Sequence, residues 1–353
     1  MMTNRTSAQS GQSTLRPDRT RPRISAAFAT SLETPEHVRI AEQLGYERAW
    51  LYDTPQQSPD VWMCLALAAE RTSSIGLGPG VLVPTLRHPM VNASATAALE
   101  RLAPGRVAVG FGTGYTGRLA MGQPKPIPWS YMGRYITTFQ ALLRGETVEW
   151  EGGCLRMMHP AGSGPSAPPT IPVYISAIGP KGVEVARSLT DNLLAVGGVP
   201  AGAERFENVS VLVFGSVLDD GEPLDSDRLR TAAGPALAQT FHLSFEFGGD
   251  VAVRALPGGP QWLDSIRGVP DRERHLAVHA GHLIAMNDAD GAAWDAGAHT
   301  ILEHVTLTGT AESVLDKVRA LATQGATEVL YQPAGDIPRE LERFAAAVGD
   351  AEN

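Results

Sequence analysis

The chain has 353 residues, 43% of them hydrophobic and 19% charged, with a formal net charge of −9. That is ordinary globular composition. The acidic balance argues against nucleic acid, whose phosphates need a basic face. No apolar run is long enough to span a bilayer, so neither nucleic acid nor membrane is an expected partner. Two cysteines, Cys64 and Cys154, are too few for a disulfide framework and fit a reducing cytosol, so a cytoplasmic location is expected.

Residues 1–22 are rich in Ser, Thr, Gln and Arg with no apolar core, and read as a disordered tail rather than a secretory signal. Residues 23–353 are expected to form a single domain. Arg23–Thr30 reads as a first buried strand. Pro35 opens a helix that Gly45 stops, following the N-terminal proline, C-terminal glycine asymmetry. Glu47–Asp53 is a second strand, Pro59–Arg71 a helix, and Ile75–Val83 a third strand. Pro89–Leu102 is a helix and Arg106–Phe111 a fourth strand. Two apolar strands bracketing a helix make a βαβ unit of a parallel sheet.

A helix at Ser130–Arg144, a small hairpin over Thr147–Met157 and a Pro/Ser/Gly loop at Gly162–Pro172 follow. Strands are expected at Pro172–Ala177, Asn192–Val196, Val209–Leu218 and Thr327–Gln332, and helices at Gly179–Leu189, Ala311–Gln324 and Ile337–Val348. Eight strands alternating with helices is the pattern of an α/β fold of the (β/α)8 TIM barrel type. Asp219–Thr308 exceeds what one crossover needs. It reads as a mostly helical insertion between strands seven and eight, irregular around Leu256–Gly259.

Active sites of such barrels sit where the strands end. Strand two ends on Asp53 and Thr54. A carboxylate closing an apolar strand is either satisfied by backbone amides or functional, and Thr54 can donate to a ligand. Strand three ends in Gly78-Pro79-Gly80-Val81, and strand four in Gly112-Thr113-Gly114, whose amides can meet a phosphate. Ser176, Ala177, Ile178 and Gly179 lead into a helix, where the dipole and unpaired N–H groups favour an anion. Val196 and Gly197 end strand six. Arg87 and His88 precede a helix and read as structural. Tyr115 stands beside the glycine turn and Trp129 in the loop after strand four, either able to meet a ligand.

His275, His279 and His282 form the densest histidine cluster. Spacings of four and three place them near one helix face. A metal site would need a carboxylate at a matching position, and none is spaced for it, so no metal is expected. His279 or His282 is a candidate proton donor, with a pair of satisfied helix histidines as the plainer alternative.

Several segments together resemble the luciferase-like flavin-dependent oxidoreductases. They are GPGVLVPTLRHP, GRVAVGFGTG, RYITTFQALLRGETVEWEG, IPVYISAIGPKGVEVARSLTDNLL and LTGTAESVLDKVRALATQGATEVLYQP. Within that superfamily the chain is most similar to the methylene-tetrahydromethanopterin reductase branch, which uses the deazaflavin coenzyme F420. The resemblance implies a barrel with the cofactor ring over the strand ends. It implies a non-proline cis peptide near Gly80-Val81 behind the ring. Phosphate contacts are implied at Gly112–Gly114 and Ala177–Gly179, flanked by Val196 and Gly197, and a homodimer through the second and third helices. Sugar-phosphate dehydrogenases of this superfamily carry a histidine after the strand-two aspartate, where this chain has Thr54. That departure leans toward reduction of an imine or enone. In this reading Asp53 and Thr54 hold ring or substrate, and His279 or His282 handles a proton. The alternatives are an FMN-dependent luciferase-like monooxygenase and a non-catalytic cofactor-binding barrel.

Overall fold

The structure, a computed structural model, describes residues 21–123, 126–160 and 169–349. The expected tail, except for its last two positions, and residues 162–168 of the expected 162–172 loop lie outside the described residues.

The sheet contains β1 (Arg23–Phe28), β2 (Arg48–Leu51), β3 (Gly76–Pro79) and β4 (Val109–Phe111) from the first half of the chain. A separate antiparallel hairpin follows, β5 (Val148–Trp150) with β6 (Gly153–Leu155). The second half adds β7 (Val173–Ser176), β8 (Asn192–Val196), β9 (Asn208–Phe214) and β10 (Glu328–Gln332). The eight sheet strands run in the order β3-β2-β1-β10-β9-β8-β7-β4, every pair parallel. Parallel bridges Leu77–Val107 and Leu82–Phe111 join the two edges and close the barrel. The TIM barrel expected from the strand–helix alternation is the observed architecture. The strands are short and apolar on both faces, as a sheet buried on both sides requires.

Helices α1 (Thr34–Gln43), α2 (Val61–Arg71), α3 (Pro89–Leu102), α4 (Thr116–Ala120), α5 (Trp129–Leu143) and α6 (Pro180–Leu189) follow the early strands. Their starts are chemically marked. The Asp60 carboxylate accepts from the Trp62 and Met63 N–H groups at the head of α2, and His88 Nδ1 accepts from the Met90 N–H at the head of α3. Both satisfy donors that a helix start leaves orphaned, so His88 is structural as expected.

The insertion carries α7 (Asp227–Ala232), α8 (Gly234–Arg254), α9 (Gly259–Ile266), α10 (Arg274–Val278), α11 (Asp288–Asp295) and α12 (Leu302–Val305). It packs a core of its own, with Leu237, Phe241, Trp262, Leu263, Ala293 and Trp294 at its centre. The chain re-enters the barrel through a Val217–Gly309 bridge, and α13 (Ala311–Gln324) and α14 (Ile337–Gly349) complete the ring. Arg228 of α7 ties the insertion to the barrel, donating to Glu340 of α14 at 2.7 Å and to Glu222.

The barrel interior is filled from its N-terminal end. Ser25 and Ser210 both donate to the buried Glu328 carboxylate. Above them Ala27, Trp50, Ala108, Tyr174, Leu194 and Leu330 pack together. This apolar plug is the floor of the space at the strand ends.

Candidate active site

A cavity of about 300 Å³ opens at the C-terminal ends of the strands. Its floor is Ala27, Trp50, Leu194, Leu212 and Leu330, and its walls include Asp53, Thr54, Gln56, Gln57, Gly80, Val81, Gly114, Tyr115, Ser176, Val196 and His282. The apolar base suits a flat ring and the polar rim fixes its orientation.

The wall between β3 and β4 owes its shape to missing side chains. The Gly80-Val81 peptide is cis. A Cβ on Gly80 would lie 2.8 Å from Trp50, on Gly112 2.6 Å from Val81, and on Gly114 2.6 Å from Val83. Strand end, glycine turn and floor therefore press together with no room for a methyl group.

Asp53 stands at the rim, buried. Its Oδ2 accepts from Arg87, whose other terminal nitrogen donates to Asp60 at 2.6 Å. Its Oδ1 is buried without a partner. Burial pushes this carboxyl above its usual range, and the Arg87 bond opposes that rise. Arg87, which reads from sequence as structural, is thus the countercharge that keeps Asp53 within reach of ionisation. Both amide atoms of Gln56 and Oε1 of Gln57 are also buried and unpartnered beside the cavity. The Thr54 hydroxyl pairs with Ser58 at 2.8 Å.

The glycine turn and strand-end loops need one correction. Not all of their amides are available to a phosphate. The N–H of Gly112 donates to Leu82, that of Ala177 to Leu194 and that of Gly197 to Leu212. These bonds belong to the barrel itself. The N–H groups of Thr113, Gly114, Ile178 and Gly179 find no acceptor among the described residues. Trp129 is a second correction: it packs on Gly182 of α6, where an added Cβ would lie 2.4 Å away, and does not line the cavity.

The histidines assemble differently from the spacing argument. Helix α10 stops at Val278, with His279 as its C-cap, and the chain turns at Gly281 with φ 70°. His275 is left apart. The third imidazole is His242, from α8, with ring centroids 5.3 Å from His279 and 5.8 Å from His282. Two carboxylates join from other elements. His279 Nε2 lies 3.1 Å from Glu246 of α8, and His242 Nε2 lies 3.1 Å from Asp290 of α11. Tyr115 donates to the other oxygen of Glu246 at 2.9 Å and stacks on Phe247. Burial and the neighbouring His242 and His279 push His282 down to about 3. Burial likewise lowers His279, although Glu246 opposes it. Burial and Glu246 push the Tyr115 hydroxyl up to about 12.

The sequence carried no signal that α8 would supply His242, Glu246 and Gln239 to the barrel mouth. Only a three- and four-residue spacing within that helix, His242 to Glu246 and Gln239 to His242, hinted at a shared face.

A family model for the luciferase-like monooxygenases matches residues 13–328. The chain belongs to the luciferase-like monooxygenase family. The 5,10-methylenetetrahydromethanopterin reductase of Archaeoglobus fulgidus is 24% identical over 305 residues, covering 84% of this chain and 88% of that one. The F420-dependent glucose-6-phosphate dehydrogenase of Beutenbergia cavernae is 34% identical over 172 residues, and the match spans about half of each chain, 45% of this one and 51% of the other. Among solved structures, the coenzyme F420-dependent tetrahydromethanopterin reductase of Methanopyrus kandleri superposes with a TM-score of 0.67 at 22% identity, over 93% of this chain and 98% of that one. In this luciferase-like barrel the cavity occupies the strand-end position at which TIM-barrel enzymes carry their active sites.

Proposed function

We propose that this protein is a deazaflavin-dependent oxidoreductase that uses coenzyme F420 and reduces a small imine or enone. The observation that carries the reading is the cavity at the strand ends, with its flat apolar floor, its methyl-free wall at Gly80, Gly112 and Gly114, and its unpartnered polar atoms on Asp53, Gln56 and Gln57. F420-dependent relatives support the choice of coenzyme.

The donor set fits a phosphorylated flavin-like group. Trp50 and Val81 would back the ring, Gln56 and Gln57 would meet its polar edge, and the amides of Thr113, Gly114, Ile178 and Gly179 would take the phosphate, with Ser176, Ala177, Val196 and Gly197 shaping that end. Bound there, a reduced deazaflavin supplies a hydride. The protein's share is orientation and electrostatics. Asp53, tethered by Arg87, would hold a polar group of ring or substrate, and Thr54 would add a hydroxyl. His282 is neutral at neutral pH, so it would serve as a hydrogen-bond donor or acceptor to substrate rather than as a standing imidazolium. His279, linked through Glu246 to Tyr115, would position that arrangement.

The outer faces of α2 and α3 expose Met63, Leu67 and Val91. They are the surface through which this chain would pair with a second copy.

The test is turnover. Under anaerobic conditions, reduced F420 is mixed with the protein and a panel of cyclic imines and α,β-unsaturated ketones. Acceptor-dependent reoxidation of the coenzyme is expected without oxygen. Turnover only with reduced FMN and only with oxygen consumption would overturn the reading in favour of a monooxygenase.

A further inference from the structure

The histidine cluster has the make-up of a ligand set. His242, His279 and His282 each offer a ring nitrogen, and the three nitrogens lie within 4.8 Å of one another. Two of the rings are fixed from behind. Glu246 and Asp290 accept from the Nε2 positions of His279 and His242, which sets the hydrogen on Nε2 and leaves the lone pair on Nδ1. Those two Nδ1 atoms are buried and have no partner among the described residues. A buried acceptor left unpaired costs free energy, and here two are left side by side.

Charge makes the same point. Among the described residues Asp290 is held otherwise only by the Trp262 Nε1–H and the Asn287 N–H, and Glu246 only by the Tyr115 hydroxyl. One buried and one partly buried carboxylate thus face three imidazoles with no arginine or lysine paired to either among the described residues. Burying uncompensated charge is unfavourable. A dication would cancel it.

We propose that His242, His279 and His282 bind a divalent transition-metal cation of the zinc class, with Glu246 and Asp290 as the carboxylates that orient two of the ligating rings. Carboxylate–histidine pairs of this kind fix the tautomer and strengthen the nitrogen donor, and neutral imidazole is a preferred ligand for such ions. His282 keeps its Nδ1 contact with the Gln239 amide at 3.1 Å. To ligate through its other nitrogen, it needs that amide turned half a revolution so that oxygen faces Nδ1. Three protein ligands leave an open coordination position. Because His282 lines the cavity, the group taken there is a water or a carbonyl oxygen from the cavity, and with the cation bound His282 meets the substrate through it rather than by a hydrogen bond of its own. The site stands on side chains of the insertion and not on the coenzyme reading, so either can fail alone.

The experiment is metal binding to the full-length protein, stripped by chelation and without coenzyme. Zn²⁺ is titrated in competition with a chromogenic chelator, and Co²⁺ is added separately to read visible d–d absorption. One Zn²⁺ per chain is expected, with a Co²⁺ spectrum of the intense, low-coordinate type. H282A should weaken binding at least tenfold. E246Q and D290N should weaken it by roughly 10- to 100-fold, the range for loss of an orienting carboxylate. The Zn²⁺-induced rise in Tm should vanish in H282A, a half-buried side chain whose loss leaves the insertion core intact. Substoichiometric Zn²⁺ binding by the wild-type protein, or binding that H282A leaves unchanged, would overturn the proposal.

Discussion

Asp53 and Arg87 show how a single ion pair couples stability to the site. Asp53 has almost no exposed surface, with 1% of its side chain accessible, and Arg87 is its only countercharge among the described residues. Removing one partner of a buried pair strands the other and costs about 3 kcal/mol. Arg87→Ala is therefore expected to lose about that much in urea denaturation, and an unchanged midpoint would contradict the account. Asp53 itself was legible in the sequence, because a carboxylate closing an apolar strand is conspicuous. Arg87 was named, but its partner was not, since its role depends on α2 and α3 lying side by side. His275 was misplaced for a related reason. Helical spacing extends a helix past the point where this one stops, and the C-cap at His279 with the turn at Gly281 sends His282 toward His242 instead.

At the scale of elements, Glu42 carries a joint between helix and strand and Gly78 one between two strands. Glu42, in the last turn of α1, accepts from the N–H groups of Ser73, Ser74 and Ile75 at 2.6–3.0 Å, clamping the entry to β3. Burial alone would raise its carboxyl, but these donors outweigh burial and hold it at about 2. A depressed carboxylate stabilises the fold above its unfolded value near 4.5 and loses that contribution as pH falls toward 2. Glu42→Gln should thus flatten the acid limb of stability between those values; an acid limb identical to wild type would contradict the clamp. Gly78 is a contact of backbone on backbone: a Cβ there would lie 2.2 Å from the Ala108 carbonyl oxygen. Gly78→Ala is expected to cost about 3 kcal/mol, the upper range for overpacking. Gly179→Ala, with nothing within 4 Å and φ −83°, should be near neutral in thermal unfolding. Equal effects of the two would sink the packing argument. The elements themselves were largely legible. Pro89–Leu102, Asn192–Val196 and Ala311–Gln324 were predicted to the residue, since proline, threonine or glycine punctuates helices sharply and a short Val/Leu/Ala run between turns reads as a buried parallel strand. Strands two and three came out shorter than predicted because the run continues past the last ladder bond into the site loops, whereas strand four ends at Phe111 as predicted and starts late, at Val109, its earlier residues meeting β3 only through the Leu77–Val107 bridge.

For the molecule as a whole, alternation of strand and helix disclosed the barrel, while the insertion stayed opaque. Its helices were expected, yet their packing over the barrel mouth rests on contacts between α8, α10 and α11 that no period encodes. The paired-barrel expectation is tested on the exposed faces of α2 and α3. Met63→Glu combined with Val91→Glu should convert a dimer to a monomer in light scattering, and a wild-type protein that is already monomeric would remove that expectation. The direct measurement is titration of the coenzyme-free protein with F420 and, separately, with FMN, following ring fluorescence, with Gly114→Val alongside. A side chain at this position would run into Val83 and Arg118. Saturable F420 binding, weaker FMN binding and loss of the F420 signal in Gly114→Val are expected. Binding of neither coenzyme, or FMN binding tighter than F420, would contradict the account.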